Sequence, residues 1–231
     1  SAVHMHHPAV RWGVTDGNPL WEEVRDAALL AEPTFILNVA LNRDKEITAV
    51  FAGDFLEAHR AGCADVREHA MVPIDDAFDI VITSNSGYPL DLNLYQSVKG
   101  MSAASQIVGD GGHIIMAADC WDGIPEHGMY GRLLSGAESP EALLETIRSP
   151  GFVASDMWQA QIHALIRTKA TVHFYTENLT DGQLRNAFLE PCPDVGARIR
   201  ELLSEIGPGA RVCVLPEGPL TIPYLPTYDG V

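Results

Sequence analysis

Positive charge is what this sequence has least of. Lys and Arg number 15 against 31 Asp and Glu, a formal net charge of -16 over 231 residues. A surface this negative repels phosphate backbones and anionic lipid leaflets, which sets nucleic acid and membranes aside as partners. A small carboxylic acid is repelled for the same reason, so an anionic substrate needs a local cationic anchor. Long apolar runs are missing too. None reaches the roughly 18 residues of a membrane-spanning helix, and the amino end carries no signal-peptide pattern. The four cysteines, Cys63, Cys120, Cys192 and Cys213, form no CxxC pair. Their scatter suits reduced thiols in the cytoplasm rather than a disulfide framework. There is no internal repeat and no low-complexity block. There is no initiating methionine either: the chain opens Ser1-Ala2-Val3-His4-Met5-His6. The reading is an interior fragment in which residues 1–19 are an interdomain linker with a short non-native scar and residues 20–231 form one α/β domain.

With 46% hydrophobic and 20% charged residues, the chain has enough apolar material for a core without disulfide or metal staples. Asp16-Gly17-Asn18-Pro19 is a turn signal. Leu20 to Ala31 follows as an amphipathic helix with proline at its start and acids in its first turn. Thr34 to Leu41 and Glu46 to Ala52 are β-rich runs around a polar four-residue loop, which predicts an antiparallel hairpin. Asp54 is placed to cap a helix running to about Ala61. Asp79 to Thr83 reads as a short buried strand, Leu92 to Val108 as a helix, and His113 to Ala117 as the next strand, with Gly109-Asp110-Gly111-Gly112 breaking the helix. Strand, helix and strand of these lengths make a βαβ unit with parallel strands. Helices over 128–134, 140–148, 155–168, 181–189 and 195–206 alternate with strands over 171–175 and 211–215. The fold class is α/β, a mixed sheet with flanking helices and an amino-terminal hairpin. The proline-rich stretch 216–226 is expected to lie as an extended strap.

Chemistry concentrates between Ser84 and Lys99. Ligands of open α/β sheets bind beyond the carboxyl ends of strands, where loops meet helix amino termini. The loop Ser84-Asn85-Ser86-Gly87-Tyr88-Pro89-Leu90-Asp91 occupies such a place, and its small residues suggest open backbone amides. Gln96 and Lys99 stand three positions apart and share a helix face. An ammonium plus an amide donor neutralises and orients a small carboxylate. On spacing alone the pair is better read as a solvated surface Gln and Lys, because QxxK is a weak motif.

The stretch SNSGYPLDLNLYQSVKGMSAA resembles the carboxyl-terminal domain of the nickel-dependent lactate racemase family. GVTDGNPLWEEV, FILNVALN, VFAGDFLEAHRAGC, DGIPEHGMYGRLL, DMWQAQIHA and VLPEGPLTIPYLP agree in the same order. The resemblance implies a racemase or epimerase of 2-hydroxy acids, in which a hydride leaves the substrate Cα for a nickel-pincer nucleotide and returns to either face. It places that cofactor, its tethering lysine, its nickel ligand and the proton-transferring histidines in an amino-terminal domain outside this chain. To this chain it assigns Gln96 and Lys99 as catalytic carboxylate anchors and Trp158 as a pocket wall. Tyr95, beside Gln96, either reaches the substrate or packs inward. The implied partners are a small 2-hydroxy acid and the amino-terminal domain, and the isolated chain is expected to be inactive. A divergent, non-catalytic paralogue that binds a small acid or a protein is the alternative.

Other candidates read more plainly. His4, His6 and His7 could hold a metal, but three histidines at a frayed terminus are more often incidental. Glu126 and His127, with Asp119 and Asp122, could form an acid–base pair or line an interdomain cleft; a simple turn is the plainer reading. Asp54 reads as a cap rather than a partner of His59. Ser84 and Ser86 lack the GxSxG elbow of a nucleophile.

Overall fold

The computed structural model describes residue 4, residues 7–42 and residues 44–226. Parts of three expectations lie outside these residues: the terminal scar, His6 of the histidine cluster and Arg43 of the hairpin loop. The chain divides into two compact units, Ser1–Met71 and Val72–Val231. The division therefore falls well beyond the 19/20 boundary expected from the turn signal.

In the first unit the Asn18 side chain accepts from Leu20 N and Trp21 N and starts α1, Pro19–Leu29. β1, Ile36–Leu41, and β2, Ile47–Gly53, pair antiparallel with Val39 opposite Val50. The expected cap at Asp54 is present: its carboxylate accepts from Leu56 N and Glu57 N. The helix it starts, α2, runs to His69 rather than Ala61. Gly62, just past the expected end, is where the helix meets the Phe51 ring; a Cβ there would lie 3.4 Å from Phe51 Cδ2.

The second unit is built on five parallel strands in the order β7-β6-β5-β4-β8. β4 is Phe78–Ser84, β5 Val108–Ala117, β6 Thr171–Tyr175, β7 Glu190–Pro191 and β8 Val212–Leu215. α3, Leu94–Ser105, joins β4 to β5 and completes the expected βαβ unit. α4 (Tyr130–Ser135), α5 (Pro140–Arg148) and α6 (Met157–Lys169) lie between β5 and β6. α7 (Asp181–Asn186) precedes β7, and α8 (Val195–Ile206) precedes β8. Parallel and antiparallel pairing thus coexist, in separate sheets. The central strands are covered on both faces, as parallel strands are. Ile115 packs with Ile80, Leu202 and Ile199 under α8. The next residue, Met116, faces α3, where its Cε lies 3.0 Å from a Cβ placed on Gly100.

Two expectations need correction. Gly109 to Gly112 do not break the chain between helix and strand: they lie inside β5, where the register with β4 shifts between Phe78 and Ile80. The irregular pairing is what the glycines accommodate. The stretch from Pro216 is also not simply extended. It makes a 3-10 turn at Gly218–Leu220 and then β9, Ile222–Tyr224, which pairs with the short β3, Met71–Pro73.

The strand order locates the site. From β4 the chain steps through β5, β6 and β7 to one side, and then β8 is laid on the other side of β4. The order reverses at β4 and β8, the switch point where such sheets bind ligands. The loops that leave their carboxyl ends begin at Ser84 and Pro216.

Candidate functional site

Those two loops are tied to each other and to α3. Asn85 bridges to Glu217, and the Ser84 hydroxyl donates to the Pro216 carbonyl. Asn85 is buried at 1% exposure. Its Oδ1 accepts from Gly100 N at 2.9 Å and its Nδ2 donates to the Leu90 carbonyl. Three backbones converge where Gly100 passes the end of β4. A Cβ on Gly100 would lie 2.5 Å from the Ser84 carbonyl oxygen, and one on Gly218 would lie 2.4 Å from Thr83 Oγ1 and 3.2 Å from Gly100 Cα. Only residues without a side chain allow this approach. It clamps α3 to the mouth of β4 one residue after Lys99.

The start of α3 is closed by protein groups. Asn93 Oδ1 accepts from Gln96 N at 3.1 Å, and Leu94 N donates to the Gly123 carbonyl at 3.0 Å. In the loop ahead, Leu90 N and Asp91 N both donate to the Gly87 carbonyl, and Ser86 N donates to Ser84 Oγ. Of the amides expected to be open for an anion, those of Ser86, Leu90, Asp91, Leu94 and Gln96 are engaged by protein groups. The loop after β5 locks on from the far side: Asp119 N donates to Asp91 Oδ2 at 3.1 Å, and Asn93 Nδ2 to Asp122 Oδ2 at 3.2 Å.

On this platform Gln96 is half-buried and Lys99 exposed. The Lys99 ammonium donates to Gln96 Oε1 at 2.7 Å. Among the described residues Lys99 has no carboxylate partner, although acids outnumber bases two to one. Two ammonium hydrogens and the Gln96 amide N–H groups remain to donate outward.

Tyr95 is half-buried. Its ring meets Tyr130 edge-on at 5.3 Å, and its carbonyl accepts from Gln159 Nε2 at 2.7 Å. Its hydroxyl accepts from the Trp158 side chain; burial, and then the nearby Asp156 carboxylate, raise the phenol above its ordinary range, and the Trp158 bond opposes them. Trp158, in the first turn of α6, keeps 47% of its surface exposed. Two pairs thus form from adjacent residues of α3, Gln96 with Lys99 and Tyr95 with Trp158. Asn85, Asn93 and Gln159, which hold these elements, carried no motif that would have singled them out.

The other candidates stand apart. Glu126 lines a cleft of about 420 Å³ with Ile124, Arg132, Gln183 and Asn186, and none of Tyr95, Gln96, Lys99 and Trp158 borders it. Asp119 accepts from Asn178 Nδ2 at 2.7 Å and Asp122 from Asn93, so both are structural. His4 pairs with Glu23 at 3.0 Å and His7 accepts from Ala9 N. His59 sits against Trp21 and Cys63, away from any pairing with the Asp54 cap. Among the described residues no three His, Cys, Asp or Glu side chains come together to hold a metal ion.

Comparison with known proteins follows this geometry. The family model for the lactate racemase C-terminal domain matches residues 74–222. The lactate racemase of Thermoanaerobacterium thermosaccharolyticum is 38% identical over 216 residues, covering 93% of this chain and 50% of that protein. The lactate racemase of Lactiplantibacillus plantarum is 36% identical over 219 residues, covering 94% of this chain and 51% of its own length. The structure of the T. thermosaccharolyticum lactate racemase apoprotein superposes with a TM-score of 0.89 at 36% identity, covering 96% of this chain and 53% of that one. A Thermotoga maritima protein at 14% identity and TM-score 0.63 shares the fold alone. The chain spans about half the length of the curated relatives it matches.

Proposed function

The chain belongs to the lactate racemase C-terminal domain family, and on that premise we propose that it grips the carboxylate of a 2-hydroxy acid whose configuration is inverted on the rest of the full-length protein. The observation that carries this reading is the 2.7 Å bond from Lys99 Nζ to Gln96 Oε1 on a helix clamped at the switch point. That bond turns the amide so that its N–H groups face away from the lysine. One carboxylate oxygen then takes an ammonium hydrogen and the other an amide hydrogen, which fixes both charge and orientation. Trp158 and Tyr95 supply a flat wall against which the substrate's small apolar end rests.

The chemistry of racemisation is assigned elsewhere. A nickel-pincer nucleotide, the cofactor implied by family resemblance, would accept and return the substrate hydride. The donor set of this chain does not fit it, because among the described residues no three His, Cys, Asp or Glu side chains converge. The residues here bind and orient; no proton- or hydride-transfer step is assigned to them. Lactate is the substrate favoured by the relatives' names, and other 2-hydroxy acids share the carboxylate that the pair recognises. By itself the chain is inactive on this reading.

In the full-length, cofactor-loaded protein, Lys99→Ala is expected to raise KM and lower kcat together. Losing one partner of a desolvated charge pair costs about 2–5 kcal/mol, or roughly 30-fold and more in kcat/KM. Unchanged kinetics by chiral chromatography would remove Lys99 from the site.

A further inference from the structure

Asp156 stands at the N-cap of α6, where an aspartate ordinarily accepts from an amide of the first turn. Its side chain makes no such bond. Its backbone lies in the left-handed region at φ 60°, which residues other than glycine seldom occupy. The loop after β5 makes room for the carboxylate instead. Gly128, itself at φ 78°, passes so close that a Cβ on it would overlap Asp156 Oδ2. Only glycine leaves space for that oxygen. A strained backbone and a glycine in the facing loop thus turn a half-buried carboxylate away from its own helix. Strain of this kind gathers at functional sites.

The carboxylate comes to rest beside the wall of the candidate site. The first turn of α6 lies against Tyr95: Gln159 Nε2 donates to the Tyr95 carbonyl at 2.7 Å, and the Trp158 side chain donates to the Tyr95 hydroxyl. Asp156 is two residues ahead of Trp158, and its charge is near enough to act on the Tyr95 phenol. Among the described residues no Lys, Arg or His forms an ion pair with it. An unneutralised, half-buried charge is screened less by salt than one at the open surface. It leaves a substrate with a neutral side chain undisturbed and repels one with a second negative charge. We propose that Asp156 sets specificity, excluding dicarboxylic 2-hydroxy acids from a site that accepts monocarboxylic ones. The inference rests on the reading that Lys99 and Gln96 grip the substrate carboxylate while Tyr95 and Trp158 flank its side chain. Rejecting the wrong acid is a separate device from holding the right one.

Malate and malamate, its side-chain monoamide, differ by one charge and hardly in shape, so they serve as probes. Their inhibition constants against lactate racemisation are compared in the full-length, cofactor-loaded protein, wild type and Asp156→Asn. The wild type is expected to bind malamate about 10-fold or more tightly than malate, and Asp156→Asn to remove most of that difference. Equal binding of the two by the wild type overturns the proposal, and that arm needs no variant to fold. A difference that persists in Asp156→Asn also overturns it, because the repelling charge then lies elsewhere. A residue that only shapes the start of α6 would shift both constants together and leave their ratio unchanged. Failure of the carboxylate grip reads out separately: Lys99→Ala would then leave both constants as they were, while the ratio still reports on Asp156.

Discussion

Gly100→Ala places two opposing effects in one helix. Replacing glycine by alanine inside an exposed helix stabilises it by up to about 1 kcal/mol. Gly100 is instead buried, and a Cβ there lies 2.5 Å from the Ser84 carbonyl oxygen, where ordinary contact begins at 3.4 Å. The obstacle is backbone, pinned by Asn85 and the Gly218 turn, so it cannot rotate away. Relief requires α3 to move by about 0.9 Å, the difference between those distances. Overpacking of this kind costs about 1–3 kcal/mol, so the clash outweighs the propensity gain and net destabilisation is expected. The shift also carries Lys99 and Gln96 with the helix. A misplacement near 1 Å costs about 100-fold in turnover when the displaced groups position substrate. Thermal unfolding and chiral chromatography of the full-length protein should therefore show both a lower Tm and a large loss of kcat. Gly182→Ala is the control: nothing lies within 4 Å of its Cβ, so stability should hold or rise. A Gly100→Ala protein as stable and active as the wild type would refute the clamp.

Two further effects follow from buried polar groups. His163 is fully buried, donates from Nε2 to the Ala187 carbonyl and accepts at Nδ1 from the Tyr130 hydroxyl, both at 2.8 Å. Burial, with a smaller push from Arg167, lowers its pKa to about 4 against the Ala187 bond. The unfolded chain then binds the extra proton first, so stability is lost as pH falls from about 6.5 toward 4, by roughly 3 kcal/mol for this residue. The urea midpoint should be lower at pH 5 than at pH 7 in the wild type, and the drop should be smaller in His163→Gln; an equal drop in both would contradict the assignment. Asn85→Ala leaves Gly100 N and the Leu90 carbonyl without their partner, costing about 1–3 kcal/mol for each group left unsatisfied. An unchanged urea midpoint would show that the loop does not depend on it.

Much of the fold could be read in advance because local signals were strong. The helices expected over 140–148 and 195–206 are present with those bounds, and the structure shows Ser139 and Asp194 capping them. The β-branched run at 79–83 announced a buried strand, and 171–175 also read as a strand. What failed had no local signal. Gly62 and Gly109 to Gly112 look like breakers, yet they serve a helix–hairpin contact and an irregular strand pairing. β3 and β9 are three residues each, and only their long-range pairing makes them strands. The candidate site divided in the same way. Family resemblance pointed to Gln96, Lys99 and Trp158, and Tyr95 entered only as the neighbour of Gln96. The bond from Leu94 N to the Gly123 carbonyl and the clamp at Gly100 depend on tertiary contacts that residue spacing does not report.

The charge on the substrate offers the most direct test of the Lys99 and Gln96 grip. Lactate and lactamide have nearly the same shape, but only lactate carries the carboxylate. Their affinities for the full-length protein, wild type and Lys99→Ala, form a closed cycle. If the ammonium holds the carboxylate, the preference for lactate over lactamide should shrink by about 30-fold or more in Lys99→Ala. An identical preference in both proteins would mean that the acid is bound elsewhere.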